Sequence, residues 1–381
     1  MKPKIAVFGA GSIGCTIAAD LTLAGYEINL LELPKFKQRI AGVQRLGGIH
    51  LSGDMHALIS GKTGFAKPNM VTTAVKEALE DVDVIFVDVP ATEYEDRFDA
   101  IAPYLKNGQI VNFNTYGYWA SLRVASILKQ RGKENVILSE SPAPIHMVRG
   151  RDGSFTSVLI RERVPLAVFP SKKSKEVFDV LKAIFPTYEM AKDVLQTNFN
   201  NINMTVHPGI ALLNIGSFDR AEERNEKFNF YVTGNTVHTG ILEESYDRER
   251  IPVCQAYGVI YTSLKESIIR YYGSKGKTVY EVIRNCKPYQ GLLKGTSGWV
   301  IGLDYLMDQL GRSDIPFSLV PFVSLASLAG VSTPITRAII DIFGAIFETD
   351  FWKTGLTLHK LGLAGLTTEG VIRYITEGEA K

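Results

Sequence analysis

Lys4-Ile5-Ala6-Val7-Phe8-Gly9-Ala10-Gly11-Ser12-Ile13-Gly14 is the stretch that decides the fold. A short apolar run ends on glycines, and a segment with helical spacing, Ile13–Ala24, starts at once. Gly9 permits the tight turn. Gly11 has no Cβ, so backbone can approach a pyrophosphate, and Gly14 lets the helix pack closely on the strand. Amides at the helix start, with Ser12 and Ile13 in its first turn, favour an anion together with the helix dipole. A lone GxGxxG is weak, but strand, glycines and helix follow here in order. The stretch therefore predicts a phosphate cradle.

Working outward, Glu27–Leu31, Asp83–Val89, Gln109–Phe113 and Val136–Ser139 read as further buried strands. Helical segments around Val71–Leu79, Tyr94–Leu105 and Tyr118–Gln130 separate them. Such alternation predicts parallel βαβ units with right-handed crossovers. Ser154–Phe169 reads as a hairpin broken by Arg161-Glu162-Arg163, and Lys172–Ile184 as one more helix. The second strand ends on Glu32, 18 residues beyond Gly14. A carboxylate there is placed to accept the adenosine ribose hydroxyls, which favours NAD. Lys35, Lys37 and Arg39 follow closely and could hold a 2′-phosphate instead, so NADP stays open. Val89 and Pro90 end the fourth strand on the cofactor side, beside the expected nicotinamide ribose. Asn112, Asn114, Thr115 and Tyr116 end the next strand on the same carboxyl edge, with Tyr116 a candidate to meet substrate. Cys15, at a helix start, reads as a small packing residue.

Length and composition bound the rest. A chain of 381 residues suggests two domains. With 45% apolar and 22% charged residues it is an ordinary globular chain, not a disordered one. Basic residues number 42 and acidic 40, so nothing marks a nucleic-acid partner. Cys15, Cys254 and Cys286 form no Cys-x-x-Cys and read as reduced thiols of a cytoplasmic protein. Ile315–Thr336 is uncharged and long enough to cross a bilayer, but three prolines and several hydroxyl residues mark it as buried core.

After about Asp193 the strand pattern stops. Asn198–Ile215, Val253–Tyr272, Thr278–Asn285 and Thr336–Phe347 carry helical periodicity. The expected architecture is an α/β N-terminal Rossmann-type doubly wound sheet, residues 1–192, followed by an all-α C-terminal domain, residues 193–381. A ligand cleft between the two is expected. The apolar-rich helical half is compatible with a homodimer.

Of six histidines, one has a distinctive setting. His207 lies in Asn200-Asn201-Ile202-Asn203-Met204-Thr205-Val206-His207-Pro208. Pro208 cannot donate to the carbonyl of Met204, so the helix should kink or break there. Asn200, Asn203 and His207 share one face, either a ligand-facing polar stripe or a solvated one. Histidine exchanges protons near neutral pH, as a dehydrogenase requires. His146 follows the sixth strand and could also approach the cleft. No His-x-x-His, His-Glu-x-x-His or Cys-His cluster predicts a metal.

The chain resembles the opine dehydrogenases, both the octopine/nopaline dehydrogenase family and the bacterial N-(1-carboxyethyl)amino-acid dehydrogenases. The specific part is Asn203-Met204-Thr205-Val206-His207-Pro208 with Leu212-Leu213-Asn214. Asp314-Ile315-Pro316-Phe317-Ser318-Leu319-Val320-Pro321 is a second block, and Thr349-Asp350-Phe351 through Leu358-His359-Lys360-Leu361-Gly362-Leu363 a third. The resemblance implies His207 as catalytic acid/base, Asp314 as its partner and Asn203 on the substrate side. It also implies an Arg a few residues before that Asp to grip a substrate carboxylate. Here the residue five before Asp314 is Gln309, so Arg312 becomes the candidate. The implied reaction joins a pyruvate-like 2-oxo acid to the amine of an amino acid through an imine, with NAD(P)H as reductant. A 2-hydroxy-acid or ketopantoate-type dehydrogenase and a non-catalytic nucleotide-binding protein are the competing readings. The former usually relies on a Lys, where this chain offers Asn203 and His207.

Overall fold

The computed structural model describes residues 2–291 and 308–379. The chain divides into two compact units, residues 1–190 and 191–381.

The first unit is built on an eight-stranded sheet. Its strands are β1 (Ile5–Phe8), β2 (Ile28–Leu31), β5 (Met70–Thr72), β6 (Val84–Val87), β7 (Ile110–Phe113), β8 (Ile137–Glu140), β11 (Val164–Phe169) and β12 (Tyr188–Met190). They lie in the order β12-β11-β8-β7-β6-β1-β2-β5. β5 through β8 of that order run parallel, with β1 between β2 and β6. The chain leaves β1 in one direction and returns on its other side, which makes the β1/β6 edge the switch point where ligands bind in such sheets. Strands β1, β2 and β6 are buried at every position, as expected for a sheet covered on both faces. Helices α1 (Ser12–Leu23), α2 (Gln38–Leu46), α3 (Val75–Leu79), α4 (Tyr94–Ile101), α5 (Ala120–Gln130) and α6 (Ser174–Ile184) connect them.

Two sequence expectations are corrected. Ser154–Phe169 is not a hairpin. β10 (Ser154–Ile160) pairs antiparallel with β9 (His146–Arg151), whereas β11 joins the large sheet antiparallel to β8. The charged run between them is the reason. Arg161 is buried and donates to the Pro144 carbonyl, while Arg163 has φ of 56° and turns the chain away. The second correction is Val71–Leu79, where a strand precedes the short helix α3.

β9 and β10 form a second sheet with β3 (Ile49–Gly53) and β4 (Gly64–Ala66), in the order β4-β3-β10-β9, against α1. Asp20 of α1 ties this sheet down. Its carboxylate accepts from Ile59 N–H at 2.8 Å and Ser60 N–H at 2.9 Å. His146 lies 3.4 Å from it and Ser157 lies on the other ring nitrogen, all fully or nearly fully buried. His146 is thus committed to this packing, and burial lowers its pKa.

The second unit is helical throughout its described residues. Its first helices are α7 (Val194–Phe199), α8 (Asn203–Glu223) and α9 (Val237–Ala256). The expected Val253–Tyr272 helix is interrupted after Ala256, and a new helix, Leu264–Tyr272, starts on a Ser263/Glu266 capping box. Asn200 stabilises that link, accepting from Thr262 N–H at 2.7 Å and donating to the Ile260 carbonyl at 2.8 Å. No helix among the described residues is long and apolar enough to cross a membrane; Ile315–Thr336 instead spans parts of a π-helix, Leu310–Leu319, and helices Val320–Leu328 and Pro334–Ile346.

Replacing Asp20 by Ala should cost about 1–3 kcal/mol, because two half-buried backbone donors lose their acceptor. Urea unfolding followed by circular dichroism checks this; an unchanged midpoint would refute the role.

Candidate active site

The glycine turn has the geometry its sequence predicts. Gly9 has φ of +109°, and a Cβ there would lie 2.1 Å from the Asp88 carbonyl. A Cβ on Gly14 would lie 1.9 Å from the Gly9 carbonyl. Neither position admits a side chain. Gly11 differs, since only the Asp88 carboxylate lies within 4 Å of its would-be Cβ, leaving room for a ligand. No side chain caps α1, so the first-turn amides of Ser12 and Ile13 lack the usual protein acceptor. Val89 is buried against Gly9, and Pro90 is exposed at the start of the following turn.

Asp88, half-buried at the end of β6, accepts from Gly14 N–H at 2.6 Å. Burial pushes its carboxyl up to about 7, against the opposing pull of that hydrogen bond and of Arg39. Cys15 is buried, and its thiol is pushed up by burial and by Asp88 and Glu32. It is a packing residue.

Along the carboxyl edge of β7, Asn112 is committed to Ser139 and Tyr188. Thr115 shares a 2.6 Å hydrogen bond with Tyr94. Asn114 accepts from Ile145 N–H at 2.9 Å, but its Nδ2 is buried without a partner. A buried unmet donor is a costly arrangement that a ligand can relieve. Tyr116 is half-buried beside it in sequence. The open flank of Gly11, the uncapped helix and this unmet amide fit a dinucleotide.

In the second unit, α8 carries His207 one residue before Pro208. The helix does not break. It runs on to Glu223 because Tyr246 of α9 splices the ladder. The Tyr246 hydroxyl accepts from Gly209 N–H at 3.1 Å and donates to the Thr205 carbonyl, the partner Gly209 would otherwise use. Gly209 makes room, since a Cβ there would meet the Glu243 side chain at 2.7 Å.

His207 Nδ1 lies 2.7 Å from Asp314 Oδ2, a pair 107 residues apart and almost wholly buried. A carboxylate only accepts, so Nδ1 carries the hydrogen and Nε2 is the nitrogen turned away from Asp314. Nε2 lies 3.2 Å from the Tyr231 hydroxyl. Tyr231 stacks on Tyr289 with centroids 3.8 Å apart and planes 8° from parallel. Asp314 sits in the π-helix with Pro316 inside. The Pro316 carbonyl accepts from Leu356 N–H at 2.9 Å, which joins the second and third sequence blocks.

Gln309 Nε2 reaches the other Asp314 oxygen at 3.4 Å. Arg312 does not join this group. It is exposed and donates to Asp308 at 2.7 Å, in the turn before Asp314. Of the asparagine stripe, Asn203 is buried at the start of α8, whereas Asn200 serves the link described above. Tyr231, Tyr246 and Glu243 were not legible as site residues, because aromatic and helical-face spacing cannot be told from core.

A dinucleotide-type α/β unit followed by a helical unit with a buried His–Asp pair defines a two-domain dehydrogenase. The chain matches the family described as NAD/NADP octopine/nopaline dehydrogenase, alpha-helical domain, over residues 190–347. Residues 5–141 match the family described as ketopantoate reductase. An opine dehydrogenase of Arthrobacter sp. (strain 1C) is 30% identical over 367 residues, 96% of this chain and 97% of that protein. Vitopine synthase of Allorhizobium ampelinum is 22% identical, over 95% of this chain and 96% of that protein. A structure of octopine dehydrogenase with NADH and L-arginine superposes with a TM-score of 0.77 at 19% identity, covering 100% of this chain and 99% of that one. The chain belongs to the opine dehydrogenase family, and is an NAD(P)-dependent oxidoreductase.

Glu243 yields a prediction. It is fully buried, neither carboxylate oxygen has a partner, and burial with Asp247 and Glu244 nearby raises its pKa well above normal. The folded state therefore holds a proton that the unfolded chain releases. Its stabilising contribution is whole below the unfolded carboxyl pKa and is lost as pH rises towards the folded one, by about 1.4 kcal/mol per pH unit. In Glu243→Gln that slope should flatten between pH 5 and 8, as read from urea midpoints. Parallel profiles for the two proteins would sink the assignment.

Proposed function

We propose that this enzyme reduces the imine formed between a 2-oxo acid and the amine of an amino acid. The observation that carries the reading is the His207–Asp314 pair, buried and spliced into α8 by Tyr246. The family supplies the reaction class, and the names of octopine dehydrogenase structures with pyruvate and with L-arginine support the substrate classes.

The chemistry follows from the imidazole. Neutral His207 takes a proton at Nε2 from the attacking ammonium, freeing the amine for the carbonyl carbon. Asp314 holds the ring by Nδ1 and stabilises the resulting imidazolium. That imidazolium returns its proton to the carbinolamine hydroxyl, which leaves as water and gives the protonated imine. A reduced nicotinamide, when bound, supplies the hydride that converts the imine carbon to a secondary amine. Amine, 2-oxo acid, NAD(P)H and one proton thus give the secondary amine dicarboxylate, NAD(P)⁺ and water. Tyr231 lies on Nε2 and keeps that nitrogen in a hydrogen bond between proton transfers. Glycines 9, 11 and 14 with Ser12, Ile13, Val89 and Pro90 form the cofactor bed, and Asn203 and Tyr116 stand on the substrate side. Arg312, exposed and paired with Asp308, gains no support as the carboxylate grip.

The test is absorbance at 340 nm with NADH and NADPH. Oxidation should require both a 2-oxo acid and an amino acid, and splitting the amino-acid pool names the amine. Oxidation by the 2-oxo acid alone would replace this reading by a simple hydroxy-acid dehydrogenase. His207→Ala should retain cofactor binding and lose roughly 10²–10⁴ in kcat; turnover near wild type would remove His207 from its role. Tyr231→Phe should shift the pH limb set by His207, which a merely structural Tyr would leave in place.

A further inference from the structure

An unphosphorylated adenosine ribose is recognised when the carboxylate ending β2 offers oxygen to its hydroxyls. Glu32 does not offer it. The residue is 0% exposed. Its Oε1 accepts from Arg97 at 2.5 Å and from Leu33 N–H at 2.8 Å. Its Oε2 accepts from Ala10 N–H at 3.2 Å, with Arg39 Nη1 at 3.9 Å. The expected ribose acceptor is thus tied inside the protein, and its charge is met by a buried guanidinium.

Arg97 is itself 1% exposed and cannot swing freely. Its Nε donates to Glu93 at 2.6 Å, and its plane lies 4.1 Å from the Phe36 ring. Its Nη2 has no hydrogen-bond partner, an unmet cationic donor behind the ribose position. Arg39 lies over the same ring at 4.8 Å, with about a third of its side chain open to solvent. Lys35 approaches that ring as well. Two carboxylates, Glu32 and Glu93, therefore stand against three cations. Asp88, across the turn, is engaged by Gly14 N–H at 2.6 Å.

We propose that this site selects the 2′-phosphorylated dinucleotide, NADPH, with Arg39 gripping the phosphate and Arg97 neutralising Glu32 behind it. A phosphate dianion suits a guanidinium that still has free N–H groups, whereas a ribose diol needs an acceptor that is not available. Glu32 alone favours NAD, and it is the partners of Glu32 that carry the proposal towards NADPH. The inference rests on the NAD(P)-dependent reading of the chain and is independent of which amine is used.

The experiment is binding to the full chain without substrates, by calorimetry and nicotinamide fluorescence. NADPH should bind at least about ten-fold more tightly than NADH. 2′,5′-ADP should displace NADPH at concentrations where 5′-AMP does not. Arg39→Ala should weaken NADPH by roughly ten-fold or more and bring the NADPH:NADH affinity ratio towards one. Arg39→Lys, which keeps the charge, should recover part of that ratio. NADH binding as tightly as NADPH would overturn the proposal. So would an Arg39→Ala protein with wild-type melting and an unchanged ratio. Selective NADPH binding without turnover on any substrate pair would support this site while refuting the reaction proposed above.

Discussion

The hydrogen bond between His207 and Asp314 is the constraint around which the helical unit is arranged. Its two ends lie 107 residues apart, and each is carried by a helix that departs from regular geometry. On one side Pro208 removes a donor, and Tyr246 supplies the hydroxyl that carries the ladder across. On the other, Asp314 sits in a π-helix held by the backbone of the third sequence block. Irregular backbone of this kind is costly unless surrounding structure over-determines it. Here the supports come from α9 and from the segment after Asp350, so much of the unit serves one imidazole.

The first unit shows the complementary principle. Its buried charges are paired before any ligand arrives. Asp20 meets two backbone amides and lies beside His146, and Glu32 meets Arg97 and two amides. Among the buried polar atoms without a partner, Asn114 Nδ2 follows β7 at the carboxyl edge of the sheet and Arg97 Nη2 lies behind Glu32. A bare buried donor at either position is one that a polar ligand can satisfy.

Much of this was legible in the chain. Glycine spacing and apolar runs located the strands of the parallel core because both are local properties. The His-Pro motif and Asp314 stood out as residue types in an unusual context. What was not legible is what depends on partners far away. No local pattern distinguishes β10 from β11, because the choice is made by where the buried Arg161 side chain anchors. Glu32 reads as an open carboxylate until Arg97, 65 residues later, is seen beside it. Tyr231 and Tyr246 read as core aromatics, since a hydroxyl's role depends on the atom it meets.

The π-helix at Leu310–Leu319 also bears on how such chains diverge. A run of i→i+5 bonds holds one more residue per hydrogen-bonded ring than an α-helix. It therefore accommodates an extra residue within the run and turns the side chains of that run away from an α-helical course. In this run Gln309 reaches Asp314 and Arg312 faces solvent. A one-residue insertion or deletion in this short run would therefore exchange which polar side chain stands beside the His207–Asp314 pair.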